Sequence, residues 1–225
     1  FGQELTAIYI DPTDACNANC KYCYIPQNIK QRGMSLSTKE LDQILKKIAA
    51  YSKGKGRKQV IIFHASEPLI IKDMLFKAIE KYSKTFKFGI QTNGILLEKN
   101  DVDFLIKNRV GVGISLDSVS PSVHGSVRPS AAEDHAKVVR AIGWFNGYEG
   151  LNVITTITQF NVKELPDIVR FLHKKRVPCV LMNPVRLTQK ASRSIKPDEK
   201  LMTKYFLKAV NTALSLSQKT KQKII

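Results

Sequence analysis

Cys16, Cys20 and Cys23 fall within a single short loop in the stretch Ile8 to Tyr24, which reads IYIDPTDACNANCKYCY. Thiolates are soft metal ligands, and three on one polar loop mark a metal site. A loop of this length can wrap a cubane iron–sulfur cluster so that each thiolate reaches a different iron, and such clusters are normally held by four cysteines. The C-x3-C-x2-C spacing offers three. One iron is then left without a protein ligand and can bind and activate another molecule. A structural zinc site would need a second ligand pair, yet the other cysteine is the distant Cys179 and the nearest downstream histidine is His64. A disulfide framework belongs to short, cysteine-rich secreted chains, which this is not.

With an apolar run before the loop and the aromatic Tyr22 just before Cys23, the stretch resembles the signature of the radical S-adenosylmethionine (radical SAM) enzymes. The resemblance implies one 4Fe-4S cluster whose open iron is chelated by the amino and carboxylate groups of S-adenosylmethionine. Reductive cleavage of that cofactor would release a 5'-deoxyadenosyl radical. It also implies cofactor contacts from the backbone near Tyr22. In the family a Gly-Gly-Glu-Pro motif lets the backbone approach the methionine amino group; here Ala65-Ser66-Glu67-Pro68 stands in its place. Both replacements are small, and Ser66 is the expected contact, with Glu67 beside it. Glu67-Pro68 also suits a helix start on dipole and proline grounds.

Ser115 and Asp117 resemble the family's Ser-x-Asp at the end of the fourth strand, with the serine placed to meet ribose or the methionine carboxylate. His124-Gly-Ser-Val-Arg128 resembles the His-x3-Arg segment of the peptide-modifying, sulfatase-maturase-like (SPASM-type) branch, whose arginine would bind that carboxylate through its charged fork. Gln91 and Asn93 are candidates for ribose or substrate contact, although Asn93-Gly94 is also a turn signal. Met182 is expected to pack in the barrel, its backbone near the adenine. His64 reads as a strand-end residue rather than a catalytic base, and Cys179 as an inert core thiol. No proton-accepting catalytic residue is legible. The expected partners are a precursor peptide or protein substrate and a low-potential donor of flavodoxin or ferredoxin type. RNA or a small cofactor precursor as the substrate of the same radical chemistry, or an electron carrier with no substrate, are the alternatives.

The chain has 225 residues and a formal net charge of +17. That balance suits an acidic partner, nucleic acid included, or a solvated lysine-rich surface. Aromatic residues do not interleave with basic ones along the sequence, which disfavours a nucleic-acid reading. No run is long and apolar enough to span a membrane and no leader precedes the first strand, so no membrane partner and a reducing cytoplasmic setting are expected. Residues 1–225 read as one radical SAM core domain, cut short at the C-terminus because that branch usually continues into a cysteine-rich auxiliary-cluster domain.

These residues need elements to position them. Strand-like runs at 7–13, 60–64, 86–92, 110–116, 152–158 and 179–184 alternate with helical periods at 37–53, 72–84, 98–109, 131–145, 162–175 and 197–218. Residues 117–130, with Pro121 and Pro129, read as a loop. Strands alternating with helices argue a parallel sheet in an α/β chain, here a partial (βα)6 TIM-like barrel. The cysteines and the polar groups at 64–68, 91–94, 115–117 and 182–184 fall at the C-terminal ends of strands, where such folds place their chemistry.

Overall fold

The computed structural model describes residues 5–54, 56–129 and 134–224. Six parallel strands run in sequential order: β1 (Ala7–Ile10), β2 (Val60–Phe63), β3 (Lys87–Thr92), β4 (Gly111–Ser115), β5 (Leu151–Ile157) and β6 (Cys179–Pro184). β6 does not pair back to β1, so the barrel stays open. Parallel neighbours need a crossover, and helices supply it. These are α2 (Thr38–Ser52), α3 (Lys72–Tyr82), α4 (Lys99–Lys107), α6 (His135–Phe145) and α7 (Leu165–Lys174), with α9 (Glu199–Thr220) after β6 and short helices α1 (Gln27–Arg32), α5 (Pro121–Val127) and α8 (Lys190–Arg193) between.

The core lies between sheet and helices. Ile61, Phe63, Phe88, Ile90, Val112, Ile114 and Val153 alternate along the strands and are almost wholly buried against Leu41, Leu45, Leu75, Ile79, Val102, Leu105, Ile142 and Ile168. Period-2 strands and period-3.6 helices present matching apolar faces, which is what fixes the register. Local chemistry starts the helices where the sequence asks. Ser37 and Glu40 form a reciprocal capping box on α2, and Asp198 accepts from the Leu201 amide at the start of α9.

The strands match expectation within a few residues, with informative differences. β1 stops at Ile10 because Pro12 to Asp14 turn to pair with residues 34–36: Asp14 N donates to Met34 O at 2.7 Å and Leu36 N to Pro12 O at 2.9 Å. The region read as a loop holds α5, with Pro121 in its first turn, where its missing N–H costs nothing. α1 was not anticipated, since it buries no residue and so leaves no periodic trace. The expected start of the 131–145 helix lies partly outside the described residues; the helix runs from His135.

Candidate active site

At the C-terminal ends of the strands one cavity gathers Cys16, Cys20, Tyr22 and Cys23 with Ser66, Gln91, Asn93, Ser115 and Arg128. Most of the residues singled out from sequence therefore meet. Lys30, His64, Thr92, Ile154 and Thr156 join them. Lys30 sits on α1 and was invisible for the reason that α1 was. Thr156 and Ile154 lie on alternate positions of β5, a strand whose ordinary β-branched composition gave no signal.

Glu67 and Asp117 are not on the cavity wall; they hold it in place. Glu67 is fully buried. Its Oε1 accepts from Thr92 Oγ1 at 2.7 Å and Leu69 N at 3.1 Å, and Oε2 from Asn93 N at 2.7 Å. It caps the 3-10 turn Pro68–Ile71, as the helix-start reading allowed, while its own amide donates to Ala15 O at 3.0 Å in the cysteine loop. Burial pushes its carboxyl above the usual range, against those three hydrogen bonds. Asn93 is likewise committed: its Oδ1 accepts from Ile95 N and its Nδ2 donates to Asn17 Oδ1 at 2.7 Å, tying β3 to the loop.

The other flank is an ion pair. Asp117 is fully buried and Arg128 is 6% exposed. Asp117 Oδ2 accepts from Arg128 Nε at 2.6 Å and Tyr22 Oη at 2.6 Å, and Oδ1 from Thr156 N at 2.9 Å. Arg128 Nη2 donates to Tyr22 Oη, and its guanidinium lies 5.4 Å from the Tyr22 ring centre. Burial opposes the arginine's charge, but Asp117, Cys20 and Tyr22 together outweigh it and hold the guanidinium well above its ordinary value. With Lys21 N donating to Val127 O at 2.9 Å, the cysteine loop is fastened to β4, β5 and α5. Met182 lies on the edge strand β6, half-buried against the core and away from the cavity. Cys179 is a half-buried free thiol on the same strand.

The donor set fits the expected groups. Among the described residues no three His, Cys, Asp or Glu side chains converge as a single metal ion would require. One zinc draws its thiolates to about 2.3 Å of one point, whereas a cubane takes each thiolate at a different corner. Burial pushes the Cys16 and Cys20 thiols up, while the Arg128 charge pulls Cys20 back. Ser66 Oγ is buried with no hydrogen-bond partner although the residue lines the cavity. A native fold leaves few such atoms, and an orphan at a cavity wall is explained by a bound group.

Two predictions arise here. Ala65, on the cavity wall, holds φ at +78°, where a Cβ costs about 1–2 kcal/mol. Ala65→Gly is expected to stabilise the fold by up to about 1 kcal/mol after the extra unfolded-state entropy is counted, read as a higher urea midpoint; a lower midpoint would contradict it. His124, 1% exposed, accepts from Asp117 N through Nδ1 at 3.4 Å, and burial lowers its pKa to about 4. The unfolded imidazole titrates near 6.5, so between those values the unfolded chain binds a proton that the folded chain refuses. Stability is therefore expected to fall by about 2–4 kcal/mol as pH drops from about 6.5 to about 4, and a His124→Asn variant should show a shallower fall in urea unfolding.

Comparison with known proteins agrees with this geometry. An uncharacterized protein of Archaeoglobus fulgidus is 40% identical over all of this chain, which spans 52% of that protein. A probable GTP 3',8-cyclase of Methanococcus vannielii is 28% identical over 77% of this chain and 57% of its own length. The chain thus spans about half the length of these relatives. The solved structure of native anSMEcpe with bound AdoMet and Cp18Cys peptide superposes with a TM-score of 0.78 at 19% identity, covering 97% of this chain and 63% of that one. Residues 10–172 match the Radical SAM superfamily, whose members use a 4Fe-4S cluster and S-adenosylmethionine; the chain belongs to that superfamily.

Proposed function

We propose that this chain is the catalytic core of a radical SAM enzyme that modifies a side chain of a peptide or protein. The observation that carries the cofactor half is the buried, unpartnered Ser66 hydroxyl facing the same cavity as Cys16, Cys20 and Cys23. When bound at those thiolates, a reduced cluster supplies the electron that cleaves S-adenosylmethionine and yields the 5'-deoxyadenosyl radical. The chain's own residues bind and orient. With S-adenosylmethionine bound, Ser66 Oγ would accept from its amino group, supplying the hydrogen bond the hydroxyl lacks in the protein. Arg128 and Lys30 set positive charge on the wall for the methionine carboxylate. Gln91, Ser115 and Thr156 offer polar groups to the ribose, and Ile154 keeps water from the reacting side.

The peptide half is supported by the SLDSVSPSVHGSVR resemblance and by the likeness to a structure that holds a peptide beside AdoMet. Anaerobically reconstituted protein given dithionite and S-adenosylmethionine is expected to yield 5'-deoxyadenosine by mass spectrometry. None at full iron loading would overturn the assignment. The 28% identity to a probable GTP 3',8-cyclase favours a second reading, a small-molecule cofactor precursor as substrate. Consumption of GTP with one 5'-deoxyadenosine formed per GTP would decide for it.

A further inference from the structure

Arg140 and Trp144, and Phe171 and Lys175, stand four residues apart on their helices, and the fold brings the two pairs to one groove. On the outer helical layer, between α6 and α7, a groove of ≈ 610 Å³ is lined by Val119, Arg140, Gly143, Trp144, Phe171 and Lys175 among others, with no carboxylate in its wall. The Arg140 guanidinium lies 5.9 Å from the Trp144 ring centre, and Lys175 Nζ lies 5.9 Å from that of Phe171. Beyond Trp144 lies a second groove that shares Arg140 and Trp144 but is mostly apolar and carries Glu98 as well as Lys72 and Lys137.

A cation stacked on an aromatic, repeated along a groove, is the arrangement that takes a nucleobase on a ring face and its phosphate on the cation. Both rings are half-buried against the core, and Arg140 and Lys175 stand beside them on the groove wall. Among the described residues no carboxylate lies within ion-pair distance of either, whereas Lys72 and Lys137 are already paired, with Asp101 and Asp134. The net charge of +17 supplies a long-range attraction for the same partner. None of these residues touches the cysteine cavity.

We propose that the α6–α7 face binds single-stranded nucleic acid, a base stacking at Trp144 and phosphates meeting Arg140 and Lys175. This surface is separate from the radical site and stands whether or not the peptide reading does.

Trp144 is the chain's one tryptophan, so its fluorescence reports the contact directly. Cluster-reconstituted protein titrated with a uridine oligomer of about 12 nucleotides is expected to show quenched emission. The logarithm of affinity should fall linearly with that of salt, at a slope of about −1.4 for the two phosphate contacts at Arg140 and Lys175. Trp144→Ala, followed with a fluorescein-labelled oligomer, should weaken binding about tenfold, and Trp144→Phe should restore most of it. The double variant Arg140→Glu, Lys175→Glu should lose more than about thirtyfold, with iron content and 5'-deoxyadenosine formation unchanged. The same charge reversal on α9, Lys200→Glu with Lys204→Glu, should cost less than about threefold.

Equal losses in the two double variants would reduce the effect to bulk charge and overturn the proposal. So would absence of quenching at saturation, or equal quenching by a polyglutamate of the same length, which would make the partner an acidic peptide instead.

Discussion

Cys20→Ala is expected to abolish formation of 5'-deoxyadenosine and to leave the reconstituted protein with almost none of its cluster iron. A cubane held by only three thiolates has no spare ligand, and Cys20 is central on the loop, beside the buried Arg128 charge. The loop itself should survive. Its fastenings are the Lys21 backbone amide to Val127 O, the Glu67 backbone amide to Ala15 O and the Asn93 side-chain Nδ2 to Asn17 Oδ1, none of which involves the Cys20 thiol. Urea unfolding of the apo variant is therefore expected to shift by less than about 1 kcal/mol, since only a small sulfur-bearing side chain is shortened. Cys179→Ala, on the half-buried edge strand, is the matched control and should keep both iron and activity. Full iron and continued cofactor cleavage in Cys20→Ala would place the cluster elsewhere. Loss in both variants would point to damaged folding rather than to ligation.

Much of this was legible in the residues themselves because the signals were local. The Cys16-Cys20-Cys23 spacing is read within one loop, and the alternation of β-branched runs with helical periods follows from layers that must each bury one face. What the sequence hid was long-range pairing. Glu67 and Asp117 stand where the family motifs suggested cofactor contacts, yet the fold brings Thr92 and Asn93 to the first and Tyr22, Arg128 and Thr156 around the second. Those partners lie up to about a hundred positions away in the chain, as Tyr22 Oη and Asp117 do, so no spacing rule could expose them. Lys30 escaped because a six-residue surface helix with no buried residue has no period to detect. The Arg140–Trp144 and Phe171–Lys175 pairs each stand four residues apart on one helix, a spacing the sequence does display; what it hid is that α6 and α7 lie side by side, so that both pairs line one groove.

The pairing of Asp117 with Arg128 makes the second large effect. Asp117→Ala is expected to cost about 3–5 kcal/mol, because it removes the partner of a guanidinium that stays buried. It also leaves Tyr22 Oη and Thr156 N without their acceptor. An exposed pair offers the scale. Arg170 and Asp167 are bonded at 2.6 Å but their side chains are 57% and 59% exposed, so Asp167→Ala should cost at most about 0.5 kcal/mol. If uncompensated charge is the cause, removing the charge must rescue. The double variant Asp117→Ala, Arg128→Met is expected to be more stable than Asp117→Ala alone by about 1–3 kcal/mol in urea unfolding, with the residual loss traceable to the unpaired Tyr22 and Thr156 groups. The rescue should stop at stability. If Arg128 meets the methionine carboxylate as proposed, its loss leaves Lys30 as the one Lys or Arg among the described residues of the wall, and S-adenosylmethionine binding by equilibrium dialysis should weaken about tenfold or more relative to wild type. A double variant no more stable than the single one would mean that Asp117 acts through packing alone, and the ion pair would then be a consequence of the fold at this site rather than one of the forces that hold the cysteine loop.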